Sequence, residues 1–213
     1  MNIDLFSARS AASRPLVIGF SKGRGFDEAL EYIQIDRTNE YDHFANGGIP
    51  VFCDPVNNLK LVKVRSKDLP LLLLHNHIDI AFGSSVWFDE SDSCELKLFT
   101  TLALQKCRLS VIGKNLMPIQ EITSICSKFP NLTAGYISKN GLNAKVVIME
   151  GCHEVALSLD MTDVIIDIIE TGQTIERMNF LELECITTVS HGIWTRENDY
   201  ASIRHLKKLW ELV

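Results

Sequence analysis

Six residues, Val164-Ile165-Ile166-Asp167-Ile168-Ile169, constrain this chain more than any others. Every one except Asp167 is β-branched and aliphatic. Such a run fits an extended strand covered on both faces, as in a parallel sheet, better than a helix with a wet side. A carboxylate inside it is costly to bury unless the open end of the strand brings it to a partner. The run passes directly into Glu170-Thr171-Gly172-Gln173-Thr174-Ile175, with two hydroxyls, a glycine that permits close backbone approach and a helix start over 174–178. Amides and a helix N-terminus aimed at one point predict an anion-binding loop. The alternative is a plain strand, turn and threonine-capped helix.

The remaining sequence repeats this alternation. Strands are predicted over 16–20, 59–64, 78–82, 121–125 and 144–148, and helices over 26–33, 67–76 (capped by Ser66), 131–139 and 153–159. Between Asp36 and Asn58 the residues are Asn, Gly, Asp and Pro-rich, which predicts loops with one weak strand pair. A closing helix over 197–212 repeats Tyr200, Ile203, Leu206, Trp210 and Val213 at helical spacing. The pattern predicts an α/β architecture with parallel sheets. Two long extended segments, 102–112 and 181–189, are candidates for crossings between two lobes. Ligands in such folds bind at the C-terminal ends of strands, hence between the lobes.

With 46% hydrophobic and 23% charged residues in a chain of 213, a substantial core can form. No apolar run approaches the ~20 residues of a membrane span. The first 14 residues, with Arg9 and Arg14 but no apolar segment of signal-peptide length, read as an N-terminal extension. Six cysteines without a CxxC pairing suit reduced thiols in a cytoplasmic protein. The formal charge of −6 and the lack of a basic block give no attraction for nucleic acid or for acidic membranes. Positive charge for a phosphate ligand must therefore be local.

Lys22 and Arg24 supply some, in the glycine loop Ser21-Lys22-Gly23-Arg24-Gly25 after a strand, where they can clamp phosphate or pyrophosphate. Glu154, in Gly151-Cys152-His153-Glu154, can hold a ribose hydroxyl or a magnesium ion, or be a first-turn carboxylate favoured by the helix dipole. Cys152 and His153 are adjacent and point apart, a poor thiolate–imidazole pair. His75 and His77 are poorly spaced as ligands, and without HExxH or CxxC no protein-bound metal is expected. Neither GxSxG nor GxxxxGK[ST] occurs, which disfavours hydrolase and P-loop chemistry.

Taken in order, several segments resemble the catalytic subunit of ATP phosphoribosyltransferase, the first enzyme of histidine biosynthesis. They are Ser21-Lys22-Gly23-Arg24, Val64 to Pro70, Asp79, Cys107-Arg108-Leu109, Lys128 to Thr133, Gly151 to Glu154, and Asp163 to Asn179. The resemblance implies a two-lobed α/β fold like the type II periplasmic binding proteins, with the second lobe inserted in the first. On that basis lobe I spans 15–104 and 187–213, and lobe II, with the phosphoribosyl loop, spans 105–186. It also implies attack of adenine N1 of ATP on C1 of phosphoribosyl pyrophosphate, with Mg2+ carried on the substrates. Thr171, Gly172, Gln173 and Thr174 would hold the 5-phosphate, Asp167 the ribose hydroxyls, with Glu154 and Asp163 beside them. Lys22 and Arg24 would meet the polyphosphates.

The chain length matches the family's short form, which implies a homo- or hetero-oligomer and a regulatory partner similar to a histidyl-tRNA synthetase. Three positions depart from the family pattern. Ser84-Ser85-Val86 stands for Gly-x-Asp, Asn46-Gly47-Gly48 lacks an arginine, and Leu157 and Asp160 replace a proline and a glycine. These changes keep a second reading open, a phosphometabolite-binding or regulatory protein on the same fold. A nucleotide-salvage phosphoribosyltransferase fits less well, since that type carries two adjacent acids before its loop and Asp167 is followed by Ile168.

Overall fold

A computed structural model describes residues 14–23, 25–33, 35, 38–104 and 107–210. The first part of the chain forms β1 (Leu16–Ser21), α1 (Phe26–Leu30), α2 (Asn39–Ala45), β2 (Val51–Asp54), β3 (Leu59–Val64), α3 (Leu69–Leu74), β4 (Ile80–Ser84), α4 (Ser85–Glu90) and β5 (Leu96–Thr101). The middle forms β6 (Cys107–Gly113), β7 (Ser124–Ser127), α5 (Pro130–Asn140), β8 (Lys145–Ile148), α6 (His153–Ser158), β9 (Val164–Ile169) and α7 (Gln173–Arg177). It ends in β10 (Leu181–Val189), β11 (His191–Arg196) and α8 (Tyr200–Trp210).

Two sheets result. The first has six strands in the order β2-β3-β1-β4-β11-β5, and the second has five in the order β10-β6-β9-β7-β8. The chain leaves the first sheet between β5 and β6 and returns through Ser190, between β10 and β11. β1 runs parallel to β3 and β4, and β7 parallel to β8 and β9. The other pairings are antiparallel, including β9 with β6 and β4 with β11, so the sheets are mixed rather than parallel as the alternation predicted. The physical reason is connectivity. β6 and β11 each arrive directly from the other sheet without a crossover helix, and a crossover is what makes neighbouring strands parallel.

Both faces of each sheet are covered, and side chains alternate between them. Ile18, Phe20, Leu59, Leu61, Ile80 and Phe82 join Phe26, Phe44 and Leu206 in one core, while Ala81 faces Leu69, Leu73, Phe88 and Trp194 in another. Gly19 is required where α3 crosses β1, because a Cβ there would lie 2.6 Å from the Ile78 side chain and 2.9 Å from Leu69. In the second sheet Val164 and Ile166 face Phe129 and Tyr136, and Ile165 and Ile169 face Ala156, Leu157 and Phe180.

Helix α4 belongs to both halves. Val86 is buried in the core of the second sheet and Phe88 in that of the first. The buried Glu90 carboxylate then accepts the Asn131 and Leu132 amides at 2.9 and 3.0 Å, which satisfies orphan donors at the start of α5.

Some local expectations change. The stretch expected to be loop contains α2, whose N-cap Thr38 accepts the Tyr41 amide at 3.1 Å and whose Tyr41 and Phe44 give it an apolar face. Ser66 opens a single 3₁₀ turn rather than capping α3, and its hydroxyl is bonded to that of Ser21. α4 and β11 had no counterpart among the predicted elements. No helix among the described residues is long and apolar enough to cross a membrane.

Asp79, which the resemblance included, lies before β4, at the end of the first sheet opposite its loops 21–23 and 84–85. Only 2% exposed, it accepts the Val17 amide at 2.9 Å, pairs with Arg14, and lies 3.6 Å from Arg196. Arg196 in turn donates to the Leu73 and Ile78 carbonyls, both at 2.8 Å. Replacing Asp79 by alanine leaves the Val17 amide and Arg14 without this acceptor, while Arg196 keeps Asp199. The expected loss is about 1–3 kcal/mol of unfolding free energy, read from urea denaturation. An unshifted midpoint would show that the network contributes nothing.

Candidate functional site

The loops at the C-terminal ends of β1, β3 and β4 face those after β7 and β9 across a cleft of about 820 Å³. Ser21 and Lys22 come from the end of β1, Ser66 follows β3, and Ser84 and Trp87 follow β4. From the other side come Lys128, Glu154 and the segment from Asp167 to Thr174.

Asp167 is the best-determined group there. It sits four residues into β9, where the strand leaves the sheet's interior and the side chain is 19% exposed. Lys128 Nζ approaches one carboxylate oxygen at 3.1 Å and His153 Nδ1 meets the other at 2.7 Å. The Ile168 amide adds a hydrogen bond at 2.8 Å. Burial pushes the Asp167 carboxyl up, but the His153 bond, the Lys128 charge and the amide together hold it below the usual carboxylate range.

His153 is 1% exposed, and its Nε2 faces the Met149 carbonyl at 2.9 Å. A carbonyl and a carboxylate both accept, so both ring nitrogens must donate, and the ring is an imidazolium. Burial opposes that charge, yet the Asp167 bond and charge and the Met149 carbonyl raise the imidazole above its ordinary value. With both nitrogens engaged, His153 has no face left to activate the neighbouring exposed Cys152.

The loop beyond turns at Gly172, whose φ of 80° is the left-handed region that only glycine adopts freely. α7 then runs for five residues, too short to supply much macrodipole. Anion affinity here must come from loop amides, the Thr171 and Thr174 hydroxyls and the cations, including Arg177 on the same cleft.

Among the predicted site residues, the structure brings Lys22, Glu154, Asp167, Thr171, Gly172, Gln173 and Thr174 to one cleft. Arg24 lies outside the described residues. Asp163 is not part of the cleft. It precedes β9, at the strand's other end, and accepts the Thr123 and Ser124 amides at 2.8 and 2.9 Å and the Thr123 hydroxyl at 2.8 Å. Burial works against its charge, and these donors still hold its carboxyl below the usual range. It ties β9 to the entry of β7 and is reassigned from substrate contact to structure.

Two of the three departures also acquire places. Val86 is fully buried and carries no polar group to the cleft. Leu157 packs in the second sheet's core, and Asp160 adopts a φ of 55° at the far end of α6, paired with Lys114. Asp160 therefore adds no negative charge to the cleft. Sequence reasoning gave no role to Lys128 or His153, because nothing in the spacing of 128, 153 and 167 shows that they converge on one carboxylate. Ser66, Trp87 and His191 also line the cleft, with no motif to signal them.

Comparison with known proteins agrees with this geometry. A family model described as ATP phosphoribosyltransferase matches residues 65–213. The ATP phosphoribosyltransferase of Novosphingobium aromaticivorans is 29% identical over 192 residues, covering 84% of this chain and 84% of its own. That of a Geobacillus species (strain WCH70) is 28% identical over 178 residues, covering 82% of this chain and 85% of its own. Among solved structures, the ATP phosphoribosyl transferase (HisG:HisZ) complex from Thermotoga maritima superposes with a TM-score of 0.73 at 22% identity, over 93% of this chain and 100% of that one. A transporter substrate-binding protein from Streptococcus pneumoniae with bound histidine matches with a TM-score of 0.55 at 11% identity, over 93% of this chain and 86% of its own. The fold is thus the two-lobed, type II binding-protein arrangement.

The ion pair fixes a pH dependence. Raised in the folded state, His153 stabilises fully below its unfolded pKa of about 6.5, and that stability is lost as pH rises through the folded value. Depressed in the folded state, Asp167 stabilises above about 3.9, and that is lost as pH falls through its folded value. Urea denaturation from pH 3 to 9 should therefore show the largest difference between wild type and His153→Gln between about pH 4 and 6.5. A difference independent of pH would contradict the imidazolium assignment.

Proposed function

Because the chain belongs to the ATP phosphoribosyltransferase family, we propose a placement of that reaction's two substrates in its cleft. The protein is an enzyme that transfers the phosphoribosyl group from phosphoribosyl pyrophosphate to N1 of ATP, giving phosphoribosyl-ATP and pyrophosphate in histidine biosynthesis. The alternative of a phosphometabolite-binding protein without turnover is not favoured. One observation carries the placement: the Thr171–Thr174 loop faces Ser21 and Lys22 across the cleft, with Asp167 at the base of the loop held by two cations.

In this reading the loop from Thr171 to Thr174 takes the 5-phosphate. Asp167 accepts from the ribose hydroxyls, and Glu154 lies on the same side. Asp167 is already charged and already oriented, so ribose binding needs no ionisation or rotation at that group. Lys22, and Arg24 by resemblance, meet the polyphosphates from the other sheet. Displacement at an anomeric carbon requires alignment and stabilisation of the departing pyrophosphate, while adenine N1 brings its own lone pair. A protein base is unnecessary for the attack.

Magnesium enters with the substrates. Among the described residues lining the cleft, the carboxylates Asp27, Glu28, Glu154, Asp167 and Glu170 outnumber the cations Lys22, Lys128 and Arg177. Among the described residues no three His, Cys, Asp or Glu side chains cluster to hold an ion, so the polyphosphate oxygens would be the principal ligands of Mg2+. Two polyphosphates entering such a lining need their own counter-ions, and Mg2+ would also draw charge from the leaving pyrophosphate. The Thermotoga maritima HisG:HisZ complex supports a regulatory partner subunit and an oligomeric working form, and the family resemblance implies that this partner is similar to a histidyl-tRNA synthetase. Its working compartment, on this reading, is the cytoplasm.

Two variants test the placement. Asp167→Asn removes the charged acceptor and should weaken phosphoribosyl pyrophosphate binding about 10- to 100-fold. Gly172→Ala strains a left-handed backbone and should cost at least about tenfold. Calorimetry measures both, alongside phosphoribosyl-ATP absorbance with ATP and magnesium, with and without a synthetase-like subunit. Unchanged affinity in both variants would move the phosphoribosyl site elsewhere.

A further inference from the structure

At the rim of the cleft the Lys67 ammonium donates to the Glu150 carboxylate at 2.9 Å. The two residues belong to different halves of the molecule. Lys67 lies in the 3₁₀ turn after β3, next to the cleft-lining Ser66, and Glu150 lies between β8 and α6, four residues before the cleft-lining Glu154. The pair therefore bridges the mouth of the cleft. Arg65 and Lys128 act on the same carboxylate, and together with the Lys67 bond they hold it below the usual range. The contact itself is with Lys67 alone, since Lys128 is already paired with Asp167.

The Glu150 side chain is 77% exposed and that of Lys67 36%, so water competes for both partners and the pair is exchangeable. It is also redundant as a clamp, since α4 is buried in both cores and Glu90 already fastens α4 to α5. What the contact does is occupy the Lys67 ammonium. A pyrophosphoryl group carries more charge and more acceptor oxygens than a carboxylate, so it can displace Glu150. After it leaves the reacting carbon, the tethered carboxylate remains at hand to take the ammonium back.

Resting on the substrate placement above, we propose that Glu150 is an intramolecular competitor for the Lys67 ammonium, yielding to the pyrophosphoryl group on entry and displacing product pyrophosphate after transfer. The competitor is weak by construction. An exposed pair of this kind shifts a competing equilibrium about two- to fivefold.

The test is calorimetry of inorganic pyrophosphate with magnesium on the full chain as wild type, Glu150→Gln, Lys67→Met and the double variant. Glu150→Gln keeps the size of the side chain and removes its charge. It should bind pyrophosphate about two- to fivefold more tightly, and product inhibition by pyrophosphate should strengthen by the same factor, with no change in the unfolding midpoint. The gain should vanish when Lys67→Met is already present. Unchanged or weaker binding in Glu150→Gln overturns the proposal, as does a gain that persists undiminished without Lys67, which would be a general charge effect. Phosphoribosyl pyrophosphate serves as the second ligand. If wild type binds it and Gly172→Ala does not, while Glu150→Gln changes nothing, the competitor alone fails. If none of the proteins binds either ligand, the substrate placement fails and the competitor with it.

Discussion

A carboxylate near the end of a doubly covered strand needs positive charge, and the second half of this molecule is arranged to deliver it. Asp167 receives His153 from the first turn of α6 and Lys128 from the end of β7. Each contact locks an element. The imidazolium is pinned at both nitrogens, which fixes α6 against β9, and the Met149 carbonyl at its far side fixes the turn that carries Glu150 and Glu154. Lys128 ties the β7–α5 corner to the base of the Thr171–Thr174 loop. Removing Asp167 leaves the buried His153 imidazolium without its counter-charge, whereas removing either cation leaves the other still paired.

A second constraint sets how the halves meet. Helix α4 is only six residues long, yet it places Val86 in one core and Phe88 in the other. Glu90 completes the junction by capping α5. The cleft consequently has one side held by packing and buried hydrogen bonds, and another bridged by the wet Lys67–Glu150 contact. Of the residues lining the cleft, Lys22, Thr171 and Gly172 stand on loops between these two regions, where they can adjust without disturbing a core.

The same junction explains why Val86 replaces an acid without disabling the fold. A side chain at this position points into the second sheet's core, where an aliphatic group packs and a carboxylate needs a partner. Asp160 is the converse case. It keeps the left-handed backbone that a glycine would take easily, and Lys114 neutralises it away from the cleft. Neither substitution touches the loop from Thr171 to Thr174.

The sequence by itself determined the central strand, the glycine turn after it and the alternation that produces two layered sheets. Those features are local: a β-branched run, a glycine between hydroxyl residues and a repeating period are set by neighbours a few positions apart. It also marked Asp167 as a group in need of a partner. Only the tertiary structure decided what that partner is, because Lys128 and His153 are separated from Asp167 by 39 and 14 residues and meet it through the pairing of β7 with β9 and the packing of α6. It equally decided against Asp163, four residues earlier on the same segment. A strand of six residues has two ends about 17 Å apart, and only one of them opens on the cleft.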